Sequence, residues 1–164
     1  MIAYGINSYG ICETLGFAVY DSETKDSWND FFASLRERGL NGVLMITSDA
    51  HEGIKNAIVR VFPEVPWQRC QFHFLRNTSD KAPKKYQLAH RVALWEMLRS
   101  ESLSSTRKKR DAIIEEYRDV AASAMDCLGE GFEDDITVMM LPKHQRKFFR
   151  TSNHIERLNK ELKR

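Results

Sequence analysis

VLMITSDAHEGIKNAIVRVFPEVPWQRCQFHF, residues 43–74, decides the fold. Val43-Leu44-Met45-Ile46 is a short continuous apolar run, as expected of a strand buried on both faces. Asp49 follows at once. Ile54, Ala57, Ile58 and Val61 then recur at helical spacing and stop before Pro63, which ends a helix. Trp67 to His73 has the aromatic-rich composition of a further short strand. Strand, acid, helix and strand in this order predict an α/β arrangement.

Working outward, Ile2–Ile6 and Ile11–Tyr20 are rich in β-branched and aromatic residues. They flank Asn7-Ser8-Tyr9-Gly10, which is turn chemistry, so a β-hairpin is expected. Trp28, Phe31, Phe32 and Leu35 form an apolar helical stripe, with Ser27 as its expected cap, Asp30 three residues on, and Gly39 as its stop. The first 75 residues therefore predict β-β-α-β-α-β. Beyond them the pattern becomes helical. One helix is expected over 84–100, with Tyr86, Leu88, Val92, Trp95 and Leu98 as its apolar positions. A second is expected over 105–128, broken by Gly129 and Gly131. A weaker segment runs from Phe132 to Leu141 and stops at Pro142, and a final helix starts near Ser152 or Asn153.

The chain has 164 residues, 42% of them apolar, enough for one domain of ordinary size with a real core. No apolar run nears the roughly 20 residues of a membrane helix. Three scattered cysteines, Cys12, Cys70 and Cys127, do not form a disulfide framework and suit a reducing compartment. With no leader pattern at MIAYGINSYG, a cytoplasmic protein is expected. The net charge of +2 is uneven: residues 1–66 carry −4, residues 67–142 are neutral, and residues 143–164 carry +6. A basic end on a near-neutral chain fits a polyanion partner, and equally a solvated terminal helix.

Asp49 lies just past a strand, where open α/β sheets place their sites. Asp49-Ala50-His51-Glu52 also has capping-box spacing, so Asp49 has a structural alternative. Glu156 is in the same position within Asn153-His154-Ile155-Glu156. On its helix Ile155, Leu158 and Leu162 form the apolar face, and Arg157, Lys160 and Arg164 point the other way. A carboxylate beside that basic face suits metal-assisted work on a nucleic-acid backbone, or an ion pair with Lys160. Cys70-Gln71-Phe72-His73 is half of a metal site by spacing, or a buried thiol near a hydrogen-bonded histidine. The chain has no phosphate-binding glycine loop, no GxSxG and no HExxH.

Ser48-Asp49-Ala50-His51-Glu52-Gly53-Ile54, Val61-Phe62-Pro63, Trp67 to Asn77, and Arg150-Thr151-Ser152-Asn153-His154-Ile155-Glu156-Arg157-Leu158-Asn159-Lys160-Glu161 together resemble the Mutator class of bacterial insertion-sequence transposases. The resemblance covers residues 2 to 164 in matching order. It implies a ribonuclease H-like mixed sheet with flanking helices and an all-helical insertion before the last catalytic helix. The core would be 1–75 and 142–164, and the insertion 76–141. It implies DNA transposition by a triad of acids holding divalent metal, Mg²⁺ or Mn²⁺. Asp49 matches the second acid and Glu156 the third, while Cys70 and His73 match the Cys-x-x-His signature.

It further implies DNA as partner, both transposon ends and target, contacted by Lys147, Arg150, Arg157, Lys160 and Arg164. A homo-oligomer in the active assembly, at the bacterial nucleoid, is also implied. The first acid of the triad is expected upstream of the hairpin, and no Asp or Glu precedes Glu13. An internal fragment, inactive alone, is therefore expected. The alternative is a non-catalytic DNA-binding remnant that interferes with full-length transposase.

Overall fold

The computed structural model describes residues 1–152. The expected final helix, with Glu156, Arg157, Lys160 and Arg164, lies outside these described residues. The described chain is mixed α/β and forms two compact units, Met1–Trp67 with Thr151 and Ser152, and Gln68–Arg150.

In the first unit β1 (Ile2–Ile6) and β2 (Cys12–Phe17) pair antiparallel, with a bulge between Ala3 and Tyr4. Asn7 closes the hairpin: its Oδ1 accepts from the N–H groups of Tyr9 at 3.0 Å and Ile11 at 3.1 Å. That is why an Asn opens this turn. The second strand stops at Phe17, short of the expected Tyr20.

Helix α1 (Lys25–Glu37) begins two residues before Ser27. The cap is Thr24, whose Oγ1 accepts from Ser27 N–H at 3.2 Å, while Ser27 Oγ accepts from Thr24 N–H at 2.9 Å. Ser27 is thus the reciprocal partner in the box rather than the cap. Gly39, at φ +98°, ends the helix as expected.

Trp28, Phe31, Phe32 and Leu35 are buried against Ile54, Ala57, Ile58 and Phe62 of the next helix region. Each such side chain contributes about 1.5–3 kcal/mol by leaving water. Arg36 also donates to the Val61 carbonyl at 2.7 Å, which ties the two helices.

The run 43–46 is not a strand buried on both faces. Leu44 is 63% exposed, and the strand β3 covers only Ile46–Ser48. α2 (Glu52–Val61) ends at Phe62 just before Pro63, as the sequence predicts. β4 (Trp67–Arg69) is shorter than expected, because Cys70 already caps a helix, α3 (Gln71–Asp80). Element order over the first 69 residues is still β-β-α-β-α-β.

The second unit is helical: α3, α4 (Lys84–Leu98), α5 (Leu103–Tyr117), α6 (Ala122–Asp135), a short 3₁₀ turn over Thr137–Met140, and α7 (Lys143–Phe149). The helix expected over 105–128 is two, because the chain turns after Tyr117, whose carbonyl accepts from Val120 and Ala121 N–H. Gly129 and Gly131 do not break α6; they lie inside it. A Cβ at Gly131 would collide with the Arg69 guanidinium and the Phe74 ring, so glycine here permits a close approach.

Phe74, Leu94, Met97, Leu128, Phe132 and Val138 are fully buried and form this unit's core. The apolar positions expected to bury α4 do not all do so. Leu88, Val92 and Trp95 are exposed, and α4 turns His90, Leu94, Met97 and Leu98 inward instead. His90 packs edge-on to Tyr117 with ring centroids 5.3 Å apart, and burial pushes its pKa down. It is therefore a neutral core residue. Among the described residues no helix is long and apolar enough to cross a membrane.

Candidate functional site

β3 delivers Asp49 to the surface at the strand's C-terminal exit. Pro66 and Trp67 anchor that exit: Ile46 N–H donates to the Pro66 carbonyl at 3.1 Å, and Trp67 Nε1–H donates to Ser48 Oγ at 2.8 Å. Ser48 in turn donates to the carbonyl of Asp49 at 2.8 Å.

The Asp49 carboxylate is exposed and accepts from His51 N–H at 3.4 Å, a long contact. It is not the cap of α2. His51 holds the N-cap position and makes no side-chain capping bond. The structural alternative weighed for Asp49 is thereby removed, because the helix begins two residues later than the capping-box spacing requires. What remains is an exposed carboxylate on a fixed strand end. Carboxylate oxygens are the donors that Mg²⁺ prefers, so Asp49 fits one ligand of such an ion.

Cys70 and His73 lie in the second unit. Cys70 is fully buried at the N-cap of α3, and His73 is half-buried one turn on. Their spacing puts both on one side of that helical turn. His73 Nδ1 lies 3.4 Å from Arg76, and its ring is 5.6 Å from that of Phe72. Among the described residues no three His, Cys, Asp or Glu side chains cluster as a metal site. A buried thiol is a soft donor, unsuited to Mg²⁺.

Two of the expected DNA contacts are described. Lys147 is exposed, with its ammonium 4.8 Å from the Phe148 ring. Arg150 is half-buried and belongs to a polar cluster that the sequence did not announce. At its centre is Asp135, fully buried at the end of α6, with neither carboxyl oxygen hydrogen-bonded. Its backbone carbonyl accepts from Gln68 Nε2 at 2.7 Å and Gln71 Nε2 at 3.1 Å. Gln71 N–H donates to the carbonyl of Arg150 at 2.9 Å. These bonds explain why Gln68–Arg69 and Arg150 group with the helices between them. The signal was present: Asp135 continues the stripe Ala124, Leu128, Phe132, so it is a charged residue on an apolar face.

Burial pushes the Asp135 carboxyl well above the usual carboxylate range, against the pull of Arg69 and Arg150 and with a push from Asp134. Arg150 is lowered by its own burial, then by Arg146 and Arg99. The folded state therefore holds the Asp135 proton more tightly than the unfolded chain. The stability it contributes is complete below the unfolded carboxyl pKa and is lost as pH rises through the folded value. Asp135→Asn keeps the shape and removes the titration. Urea unfolding at pH 5 and pH 8 should show the parent losing more stability between the two than the variant. An equal or smaller loss in the parent would mean that Asp135 is ionised in the fold.

Residues 1–164 match the family model described as transposase, Mutator family. The chain is 36% identical over 165 residues to the transposase for insertion sequence element IS256 in transposon Tn4001 of Staphylococcus aureus, covering 99% of this chain and 42% of that protein. It is 32% identical over 164 residues to the transposase for insertion sequence element ISRM5 of Rhizobium meliloti, covering 100% of this chain and 41% of that protein. The same identity and length hold for the transposase for insertion sequence element IS1081 of Mycobacterium tuberculosis, with 40% of that protein covered. The chain thus spans about two-fifths of the length of these relatives.

Proposed function

This chain belongs to the Mutator family of transposases, and from that membership we propose that it is part of a catalytic core for DNA transposition, cutting and joining strands at transposon ends. The observation that carries the proposal is Asp49, an acid exposed at the exit of a strand and free of a helix-capping duty. The core is a ribonuclease H-like sheet, and most of the 68–150 unit is its helical insertion. Asp49 and Glu156 are two members of an acidic triad and hold divalent metal, Mg²⁺ or Mn²⁺. When bound, the ions activate the attacking oxygen and stabilise the leaving oxygen at phosphorus. No Asp or Glu precedes Glu13 in this sequence, so none of its residues is assigned as the first acid of the triad.

The chain's own residues do the positioning. β3, with Trp67 and Ser48, fixes the backbone that carries Asp49. Cys70 and His73 hold the start of α3, within five residues of the Gln68 and Gln71 amides. Lys147, Arg150, Arg157, Lys160 and Arg164 neutralise DNA phosphates, which supplies affinity without sequence choice.

Glu156→Ala, in a full-length transposase carrying this segment, tests the reading. Cleavage of transposon-end DNA should fall by at least about a thousandfold with DNA affinity kept. Arg157→Ala and Lys160→Ala should each weaken binding and lower the slope of log affinity against log salt by about 1. Cleavage that is indifferent to Glu156 while the arginine and lysine changes still weaken binding would leave only a DNA-binding remnant.

A further inference from the structure

Helix α4 is amphipathic in an unusual sense: both of its faces are apolar. His90, Leu94, Met97 and Leu98 point into the unit. On the opposite side Leu88 is 76% exposed, Val92 50% and Trp95 46%. With Arg91, Glu96 and Arg99 these residues line a shallow open groove. Large apolar side chains aligned on one exposed stripe mark an interaction face.

The spacing of the stripe is specific. Positions 88, 92, 95 and 99 alternate steps of four and three, the seam of a two-stranded coiled coil. In heptad terms Leu88 and Trp95 are d, Lys85, Val92 and the C-cap residue Arg99 are a, Arg91 is g and Glu96 is e. A β-branched residue at a beside Leu at d favours two parallel strands. The a-position Arg99 does not leave a bare charge at the seam, because its guanidinium stacks 4.1 Å from the Trp95 ring.

The flanking charges select both the partner and its direction. In a parallel pair, position g of one helix faces position e of the other, five residues further on. Arg91 and Glu96 are five residues apart and opposite in sign, so twofold symmetry makes the contact twice. An antiparallel pair would instead set the two Arg91 flanks together and the two Glu96 flanks together. We propose that two copies of this chain associate in parallel through the outward face of α4, with Leu88, Val92 and Trp95 as the seam and Arg91 of each copy paired with Glu96 of the other. Nucleic acid fits this face less well, because Glu96 sits beside the only broad aromatic surface of the stripe. Arg91 also lies 3.7 Å from Asp80 of its own chain, a long and exposed pair that a facing Glu96 displaces at little cost. Two heptads make a short seam, so the association is weak, with a dissociation constant on the order of micromolar to millimolar.

The association does not depend on the catalytic reading, and its main readout is the oligomeric state. Sedimentation velocity of the 164-residue chain over a concentration series should show a monomer–dimer equilibrium. Arg91→Glu and Glu96→Arg should each weaken it roughly tenfold, and the double exchange should restore it to within roughly threefold. All three changes lie on the surface, and recovery in the double variant rules out damage to the fold. A chain that stays monomeric throughout, single exchanges without effect, or a double exchange as weak as the singles would each overturn the proposal. So would Trp95→Ala lowering DNA affinity while leaving the oligomeric state untouched.

Discussion

Asp49→Asn, placed in a full-length transposase that carries this segment, should lower strand cleavage at transposon ends by at least about a thousandfold at saturating DNA. The substitution changes almost nothing else. The residue is exposed, and an asparagine oxygen can still accept from His51 N–H as the carboxylate does at 3.4 Å. A surface change of this kind alters stability by no more than about 0.5 kcal/mol. What it removes is one negative charge at the mouth of β3, the property that a hard cation needs from its ligand. Activity and stability thus separate two roles. A capping Asp would cost about 0.5–2 kcal/mol of folding stability on removal, yet His51 holds the cap of α2. Unchanged thermal unfolding with cleavage lost is the expected pair of results; cleavage within tenfold of the parent would sink the assignment of Asp49.

The second large effect is on folding. Phe132→Ala should destabilise the 68–150 unit by about 3–5 kcal/mol. Phe132 is fully buried, and Arg110 stacks 4.5 Å from its ring. Removing the ring deletes core contacts and leaves the guanidinium without its aromatic platform. A domain is stable by only about 5–15 kcal/mol, so this one change consumes a large share. Phe132→Leu, which fills most of the space, should cost clearly less. Urea unfolding followed by helical circular dichroism measures both. A loss under about 1 kcal/mol for the alanine variant would mean that the core closes around the gap.

The contrast between α1 and α4 shows what could be read from sequence and what could not. Trp28, Phe31, Phe32 and Leu35 stand on a helix whose other faces are polar, so periodicity alone chose the buried side, and chose it correctly. α4 carries apolar residues on two sides. Periodicity detects the helix but has no means of choosing between Leu88-Val92-Trp95 and Leu94-Met97-Leu98; the fold buries the second set, with His90 beside it.

A similar ambiguity hid α3. Trp67-Gln68-Arg69-Cys70-Gln71-Phe72-His73 is aromatic and alternating, so strand propensity was extended across a real change to helix at Gln71. By propensity Gly131 is a helix breaker, yet tertiary packing keeps it inside α6 under Arg69 and Phe74. At the site, Asp49 was legible because a strand, an acid and a helix follow each other within a few residues. At Asp135 the local pattern shows only an acid on an apolar face; its partners Gln68, Arg69 and Arg150 come from the two far ends of the unit, and no local pattern encodes their meeting.

The bond from Gln71 N–H to the carbonyl of Arg150 has a topological consequence. Some eighty residues of helix leave and return through a gap that a single peptide can bridge. A segment whose two ends already touch behaves as a cassette. Cutting it out and bridging the gap with a few glycines asks little of the backbone on either side, and lengthening its helices alters neither end point. The length of the excursion between Gln71 and Arg150 can therefore change without moving those two residues apart.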